Sequence, residues 1–166
     1  MYTNIRSLTT STKREELRIL IDSQKIDIIG LTETWGKSSI TDSEMMIPGF
    51  KMYRKDRSEV KEKKGGGVAL YVKNSLHSVE CDILNSMRCE GVWCRIPTDK
   101  SDFFTVGVCY RSPDSDEDEI NMLFDSIKLA CSNNKSVFIV ADFDYPDIEW
   151  KILKTCLLYT SDAADE

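Results

Sequence analysis

Several features that identify common classes of protein are missing from this sequence. No apolar run approaches the roughly 20 residues of a membrane-spanning helix, and the opening MYTNIRSL has no apolar stretch typical of a secretory signal. We therefore expect no membrane partner. Positive charge is in deficit, because 22 Lys and Arg stand against 28 Asp and Glu, for a net charge of −6. That balance argues against holding nucleic acid by bulk electrostatics, but not against an enzyme that meets phosphates through metal ions.

Metal-binding patterns built on cysteine and histidine are missing as well. The six cysteines form no C-x-x-C pair, so we expect no zinc site. We interpret them as reduced, mostly buried thiols of an intracellular protein. The single histidine, His77, follows Asn74 and Ser75, and we interpret it as an ordinary loop or strand-end residue.

What is present predicts one domain, or most of one, with two helices. The chain has 166 residues, and a hydrophobic content of 41% is enough for a core. Thr12 and Glu15 have capping-box spacing before an apolar stripe, which predicts a helix over residues 12–23. A second stripe follows the acidic run 114–119. We interpret that run as a helix start and not as a metal site, because acids complement the helix dipole there.

Short apolar segments predict a series of strands. They lie in KIDIIGLTETW, in FKMYRKDR, in VALYV after the glycine turn 65–67, and at residues 78–83, 91–96, 103–110 and 137–140. Consecutive strands in the middle of the chain favour antiparallel pairing, and the helices favour cover on the outer faces. The pattern therefore predicts an α+β fold with layered sheets.

Polar residues follow or end three of these apolar segments: Asn4, Glu33 and Asp142. If the strands lie side by side, their ends converge on one edge, where open sheets place ligand sites. Carboxylates there can hold Mg²⁺, which prefers oxygen ligands and keeps several waters.

Five segments resemble, in the same order, motifs of the endonuclease/exonuclease/phosphatase superfamily, over about residues 1–150. They are NIRSL from Asn4, TETW from Thr32, GGGVA from Gly65, YRSP from Tyr110 and ADFDYPDIEW from Ala141. The YRSP and PDIxW details are similar to the apurinic-endonuclease-like domain of non-LTR retrotransposons. The resemblance implies a four-layer α/β/β/α sandwich, which we expect to be incomplete at the C-terminus.

The resemblance also implies roles for individual residues. Asn4 would help to place the metal and the phosphate, and Glu33 would bind Mg²⁺ or Mn²⁺. Tyr110 would contact the scissile phosphate, and Asp142 would activate or orient the attacking water. Arg111, in the YRSP segment, is a further candidate for substrate binding.

The chain departs from the family pattern at three points. Ala141 replaces a glycine, which is harmful if the backbone there needs a positive φ. Asp144 replaces an asparagine, and an ionised carboxylate cannot donate a hydrogen bond to a phosphate oxygen. Losing such a donor costs roughly 3 kcal/mol at a developing oxyanion, unless Asp144 recruits another cation. No histidine follows Trp150, so the catalytic histidine of the family is absent.

The resemblance thus implies metal-dependent phosphodiester hydrolysis, in the DNA-nicking endonuclease domain of a non-LTR retrotransposon, of which this chain would be a truncated part with little or no activity. DNA would be its partner, a reverse transcriptase would follow in the intact polyprotein, and the location would be nuclear. We expect a monomer. Two alternatives stay open: an inactive, decayed fragment, and a phosphoesterase of the same superfamily that acts on a small phosphorylated substrate.

Three further segments carry interpretations. Residues 156–166, CLLYTSDAADE, resemble the translation of a transposase-type sequencing adapter, so we expect a domain over 1–155 and a tail without native structure. The charged segment YRKDRSEVKEKK, residues 53–64, is interpreted as a solvated loop in preference to a DNA-backbone contact. Trp35, Trp93 and Trp150 are interpreted as packing residues, with Trp35 and Trp150 near the edge of the site.

Overall fold

The computed structural model describes residues 1–57, 65–98, 102–134 and 136–144, and the backbone of 148–149 and 154–155. The strands are β1 Tyr2–Asn4, β2 Ile28–Thr32, β3 Phe50–Lys55, β4 Val68–Lys73, β5 Val79–Glu80, β6 Gly91–Pro97, β7 Phe103–Arg111, β8 Ser136–Phe143, β9 Ile148–Glu149 and β10 Lys154–Thr155. The helices are α1 Ser11–Gln24, α2 Asp42–Met45, α3 Asp82–Asn85 and α4 Glu117–Asn133, with a 3-10 turn at Asn74–Leu76.

The long strands form two four-stranded sheets, in the orders β1-β2-β4-β3 and β5-β6-β7-β8. The pairs in the middle of the chain are antiparallel, as predicted. The two outer pairs, β1 with β2 and β7 with β8, are parallel, and each is joined by a long helix, α1 or α4. Parallel neighbours need such a crossover because their ends lie at opposite edges of the sheet.

Three apolar clusters establish the four layers. One lies between the sheets, where Leu70 and Val72 of β4 are grouped with Val92 and Val108 of β6 and β7. The other two lie on the outer faces. One buries Leu17 and Ile21 of α1 against β2 and β4. The other buries Leu123 and Ala130 of α4 against β6 and β7. The predicted α/β/β/α sandwich is confirmed.

Gly30 lies at a point of close contact between the two sheets. A Cβ atom on Gly30 of β2 would lie 2.7 Å from Val140 Cγ2 and 2.9 Å from Val108 Cγ2, both in the second sheet. Carbon atoms in contact normally keep about 3.5 Å or more. Glycine therefore allows β2 to lie directly on β7 and β8.

Two local predictions are wrong. Thr12 and Glu15 do not cap α1. The N-cap residue is Thr10, which makes no side-chain cap bond, and capping boxes occur instead at Thr41 with Glu44 and at Asp116 with Glu119. The predicted strand 78–83 is strand only at Val79–Glu80, because the chain turns into α3 at Asp82.

The solvated interpretation of the charged segment is wrong for its first cations. Arg54 pairs with Asp42 at 3.0 Å and its side chain is 15% exposed. Lys55 Nζ donates to the carbonyl oxygens of Asn85 and Met87. The Arg57 side chain is only 12% exposed, and residues 58–64 lie outside the described residues.

The remaining sequence-based interpretations can be located in the fold. Cys81, Cys89, Cys94 and Cys109 are buried free thiols, as predicted, while Cys131 is exposed. His77 is exposed at the end of the 3-10 turn. Within the described part of the chain, no helix is long and apolar enough to cross a membrane. Cys156 and the tail 156–166 lie outside the described residues.

Candidate active site at the strand ends

The ends of strands from both sheets meet at one edge of the sandwich. Asn4 closes β1 in the first sheet, and Asp142 lies near the end of β8 in the second. Asn4 Nδ2 donates a hydrogen bond to Asp142 Oδ2 at 2.8 Å. Tyr110 of β7 is the register partner of Asp142. The structure thus brings together residues that the sequence places at separate strand ends.

Glu33 reaches the same edge because two segments hold it from opposite sides. On one side, Ser7 N donates to the Glu33 carbonyl oxygen at 2.7 Å. On the other side, Trp35 N donates to the Gly66 carbonyl oxygen at 2.9 Å. Glu33 and Trp35 both have φ of +56°, a left-handed conformation that non-glycine residues adopt at a cost. These flanking hydrogen bonds hold the backbone in that conformation.

The Glu33 carboxylate lies among groups that stabilise its charge. Trp35 Nε1 donates to Glu33 Oε2 at 2.5 Å. The Tyr110 hydroxyl and the Gly66 N–H are close enough to lower its pKa as well. Burial alone raises the pKa of Glu33, but these donors and the charge of Arg57 outweigh it, and the pKa lies below its usual value. Glu33 is therefore an ionised, half-buried carboxylate.

Tyr110 is a neutral phenol in this setting. It is 7% exposed, and burial together with the neighbouring ionised Glu33 raises its pKa. The guanidinium carbon of Arg57 lies 5.7 Å from the centre of the Tyr110 ring, within range of a cation–π contact. Arg57 itself pairs with Glu90, at 2.7 Å from Nε to Oε1.

These groups surround an open cavity of about 330 Å³. It is lined by Asn4, Arg6, Glu33, Trp35, Tyr110, Asp142 and Asp144. Three carboxylates against one guanidinium make its formal charge negative. A phosphate would therefore be repelled unless a cation entered first.

The donor set fits Mg²⁺ or Mn²⁺. Such ions take oxygen ligands and are commonly held by one or two carboxylates, with water and substrate phosphate completing the shell. Glu33 supplies an ionised carboxylate, and Asn4 retains an amide oxygen while its nitrogen is bonded to Asp142. No three His, Cys, Asp or Glu side chains cluster tightly enough to hold a metal among the residues described.

Arg111 lies beside this cavity and not in its lining. Its Nη1 donates to the carbonyl oxygen of Asp144, and the residue lines a neighbouring cavity of about 700 Å³. Ala141 sits in β8 opposite Cys109 with no positive φ. The backbone conformation that would have made alanine harmful is therefore not adopted here.

Four residues at or beside the site were not identified from the sequence as part of it: Arg6, Trp35 in its contact with Glu33, Arg57 and Glu90. The sequence analysis interpreted Arg57 as part of the solvated charged segment 53–64. Glu90 precedes its apolar strand, so a search for polar residues that end apolar segments does not identify it. Residues 145–147 and Trp150 of the PDIxW segment lie outside the described residues.

The fold that carries this site also occurs in solved structures of other proteins. Solved structures with the same fold include the catalytic domain of Xenopus laevis APE2, with a TM-score of 0.52 and 17% identity over 87% of this chain and 57% of that one. The human Nocturnin catalytic domain with bound sulfate has a TM-score of 0.56 and 13% identity, over 86% and 62%. The Neisseria 3′ phosphatase NExo, bound to product DNA hairpin, has a TM-score of 0.59 and 15% identity, over 89% and 58%.

This chain thus spans about three fifths of the length of those three domains. No curated protein shows significant sequence similarity to it. A profile of the Endonuclease/Exonuclease/phosphatase family matches residues 1–159, and the chain therefore belongs to that family.

Proposed function

We propose that this chain carries the phosphodiester-cleaving site of a DNA-nicking endonuclease domain of the non-LTR retrotransposon type. The observation that carries the proposal is the Asn4–Asp142 hydrogen bond of 2.8 Å, which joins the two sheets beside the Tyr110–Glu33 pair. Family membership supports phosphoester chemistry, and the DNA-bound Neisseria phosphatase supports DNA as the substrate. An endonuclease of the non-LTR retrotransposon type would also have a nuclear location and a reverse transcriptase as its downstream partner.

The residues of the cavity divide the proposed chemistry among them. Glu33 and Asn4 would hold a divalent cation, which supplies charge neutralisation and polarisation of a phosphoryl oxygen when bound. Tyr110, a neutral phenol, can donate a hydrogen bond to a non-bridging phosphate oxygen. Asp142 accepts a proton from water as the water oxygen attacks phosphorus and the bond to the leaving oxygen breaks. Asn4 orients the Asp142 carboxylate for that step.

The test is nicking of supercoiled plasmid by the chain in Mg²⁺ or Mn²⁺. We expect nicking to depend on the metal and to fall at least 100-fold in Glu33→Ala and Asp142→Asn. Asp144→Asn should increase it, because an amide can donate to the phosphate where the carboxylate repels it. Equal nicking by the chain and by Glu33→Ala would contradict the proposal.

Asp144 favours a second candidate, an impaired copy of such an enzyme. It adds a third carboxylate to the cavity at the position where the family has an amide donor. Under this alternative, neither the chain nor Asp144→Asn nicks plasmid. Hydrolysis of p-nitrophenyl phosphate without nicking would instead indicate a phosphoesterase that acts on small substrates.

A further inference from the structure

Glu90 lies outside the cavity of the candidate site. Its side chain nevertheless contacts Arg57, which lies against Tyr110, and the glycine turn 65–67, which is bonded to the segment that carries Glu33. Its side chain is 19% exposed, at the start of β6. Oε1 accepts from Arg57 Nε at 2.7 Å, and Oε2 accepts from Gly67 N at 2.6 Å. Each carboxylate oxygen thus has its own donor, one from a side chain and one from the glycine turn.

The first contact leads to Tyr110. With its Nε on Glu90, the Arg57 guanidinium lies over the Tyr110 ring at 5.7 Å. The same guanidinium packs on the backbone of Gly66, where a Cβ atom would come within 2.3 Å of Arg57 Nε. Glu90 therefore determines where the cation beside Tyr110 rests.

The second contact leads to Glu33. Gly67, bonded to Glu90 through its N–H, accepts from Thr34 N through its carbonyl oxygen at 3.2 Å. Gly66 accepts from Trp35 N through its carbonyl oxygen at 2.9 Å, and its N–H lowers the pKa of the Glu33 carboxylate. The glycine turn is thus a bridge between Glu90 and the segment that carries Glu33 in a left-handed conformation.

We propose that Glu90 is a positioning residue of this site, acting through Arg57 on Tyr110 and through Gly67 on Glu33. The inference rests on the proposed function for its effect on cleavage. The placement of Glu33 and Tyr110 by Glu90 does not depend on the proposed function.

The discriminating variant is Glu90→Gln, which keeps the size of the side chain. A carboxylate accepts from both donors, whereas glutamine offers one oxygen and one donating NH₂, so one of the two contacts must be lost. We expect kcat for nicking to fall 10- to 100-fold with little change in KM, and Mn²⁺ affinity to fall about tenfold, as for groups that orient metal ligands. Arg57→Met should lower kcat as well, and the double variant should lose less than the two single losses combined, because both single variants interrupt the Glu90–Arg57 contact.

Trp35 fluorescence, measured without metal, tests the positioning role of Glu90 separately from DNA cleavage. Trp35 Nε1 donates to Glu33, so its emission reports on the position of that carboxylate. We take the Trp35 signal as the difference between each protein and its Trp35→Phe counterpart, and we expect Glu90→Gln to shift it to longer wavelength. If the chain does not nick DNA but Trp35 emission still shifts, the proposed function fails and the positioning role holds.

The matched control is Asp125→Asn, which removes one carboxylate charge from an exposed position on α4 that lines neither cavity. It should leave Mn²⁺ affinity and Trp35 emission unchanged. Glu90→Gln indistinguishable from Asp125→Asn in both readouts would overturn the proposal. If Glu90→Gln does not fold, Arg57→Lys decides, because it keeps the charge but loses the planar fork that reaches both Glu90 and the ring.

Discussion

Replacing Gly30 by alanine tests whether the tight approach of the two sheets is what brings the strand ends of the site together. The added Cβ would lie 2.7 Å from Val140 Cγ2 and 2.9 Å from Val108 Cγ2, about 0.8 Å and 0.6 Å closer than carbon atoms normally approach. Valine side chains have little freedom to move aside, because branching at Cβ restricts χ1. Val108 is also fully buried. The sheets themselves must therefore separate.

The expected cost follows from two opposing effects. Overpacking a buried site by one methyl group costs about 1–3 kcal/mol. Replacing glycine by alanine at a φ that alanine accepts gains about 0.4–1 kcal/mol from the unfolded state, and Gly30 has no positive φ. We expect a net loss of about 1–2 kcal/mol in the free energy of unfolding, and weaker Mn²⁺ binding because Asn4 and Asp142 sit on opposite sheets.

Urea unfolding monitored by circular dichroism measures the first effect, and calorimetric titration with Mn²⁺ measures the second. Gly91→Ala is the matched control, because its Cβ would come no closer than 3.4 Å to any atom, so it should lose no stability. Adding Val140→Ala to Gly30→Ala should recover part of the loss by making room. Gly30→Ala as stable as Gly91→Ala would refute the reasoning.

Three further outcomes are expected from urea unfolding of single variants. Asp116→Ala should cost about 1 kcal/mol by removing the capping box of α4, whereas Thr10→Ala should cost almost nothing because Thr10 makes no side-chain cap bond. Gly67→Ala should lose at least about 1 kcal/mol more than Gly49→Ala. The two glycines have φ of +83° and +84°, but only at Gly67 would a Cβ meet an atom within 4 Å, Thr34 Oγ1 at 2.6 Å. Because folding lowers the pKa of Glu33, its contribution to stability is complete above the usual value of 4.5 and is lost as pH falls through the lowered value. The stability difference between the chain and Glu33→Gln should therefore shrink below about pH 4.5, and a difference independent of pH would contradict this.

Much of the architecture could be predicted because it depends on local patterns. The apolar stripe of residues 12–23 became α1, and the apolar run 137–140 became the centre of β8. Asn4, Glu33 and Asp142 were recognisable because they end apolar segments and lie, in order, in segments that resemble the family motifs. Their convergence follows from parallel pairing at both ends of the chain.

The rest depends on contacts that no local pattern records. Arg57 looked like one more charge in a charged segment, yet its partner Glu90 is 33 residues away. The spacing of Thr12 and Glu15 was suitable for a capping box, but the backbone leaves the helix at Thr10, and capping follows the backbone. Left-handed Glu33 could not be foreseen either, because the hydrogen bonds that hold it come from Ser7 and the glycine turn.

The hydrogen bond between Asn4 and Asp142 joins residues 138 positions apart, almost the full span of the described chain. During synthesis, the sheet that carries Asn4 and Glu33 leaves the ribosome long before β8 does. A nascent chain that ends before β8 would hold the proposed metal-binding half of the site without the carboxylate proposed to prepare water. Cleavage would then begin only when translation has passed Asp142 and the two sheets have docked, a late event for a contact of such sequence separation.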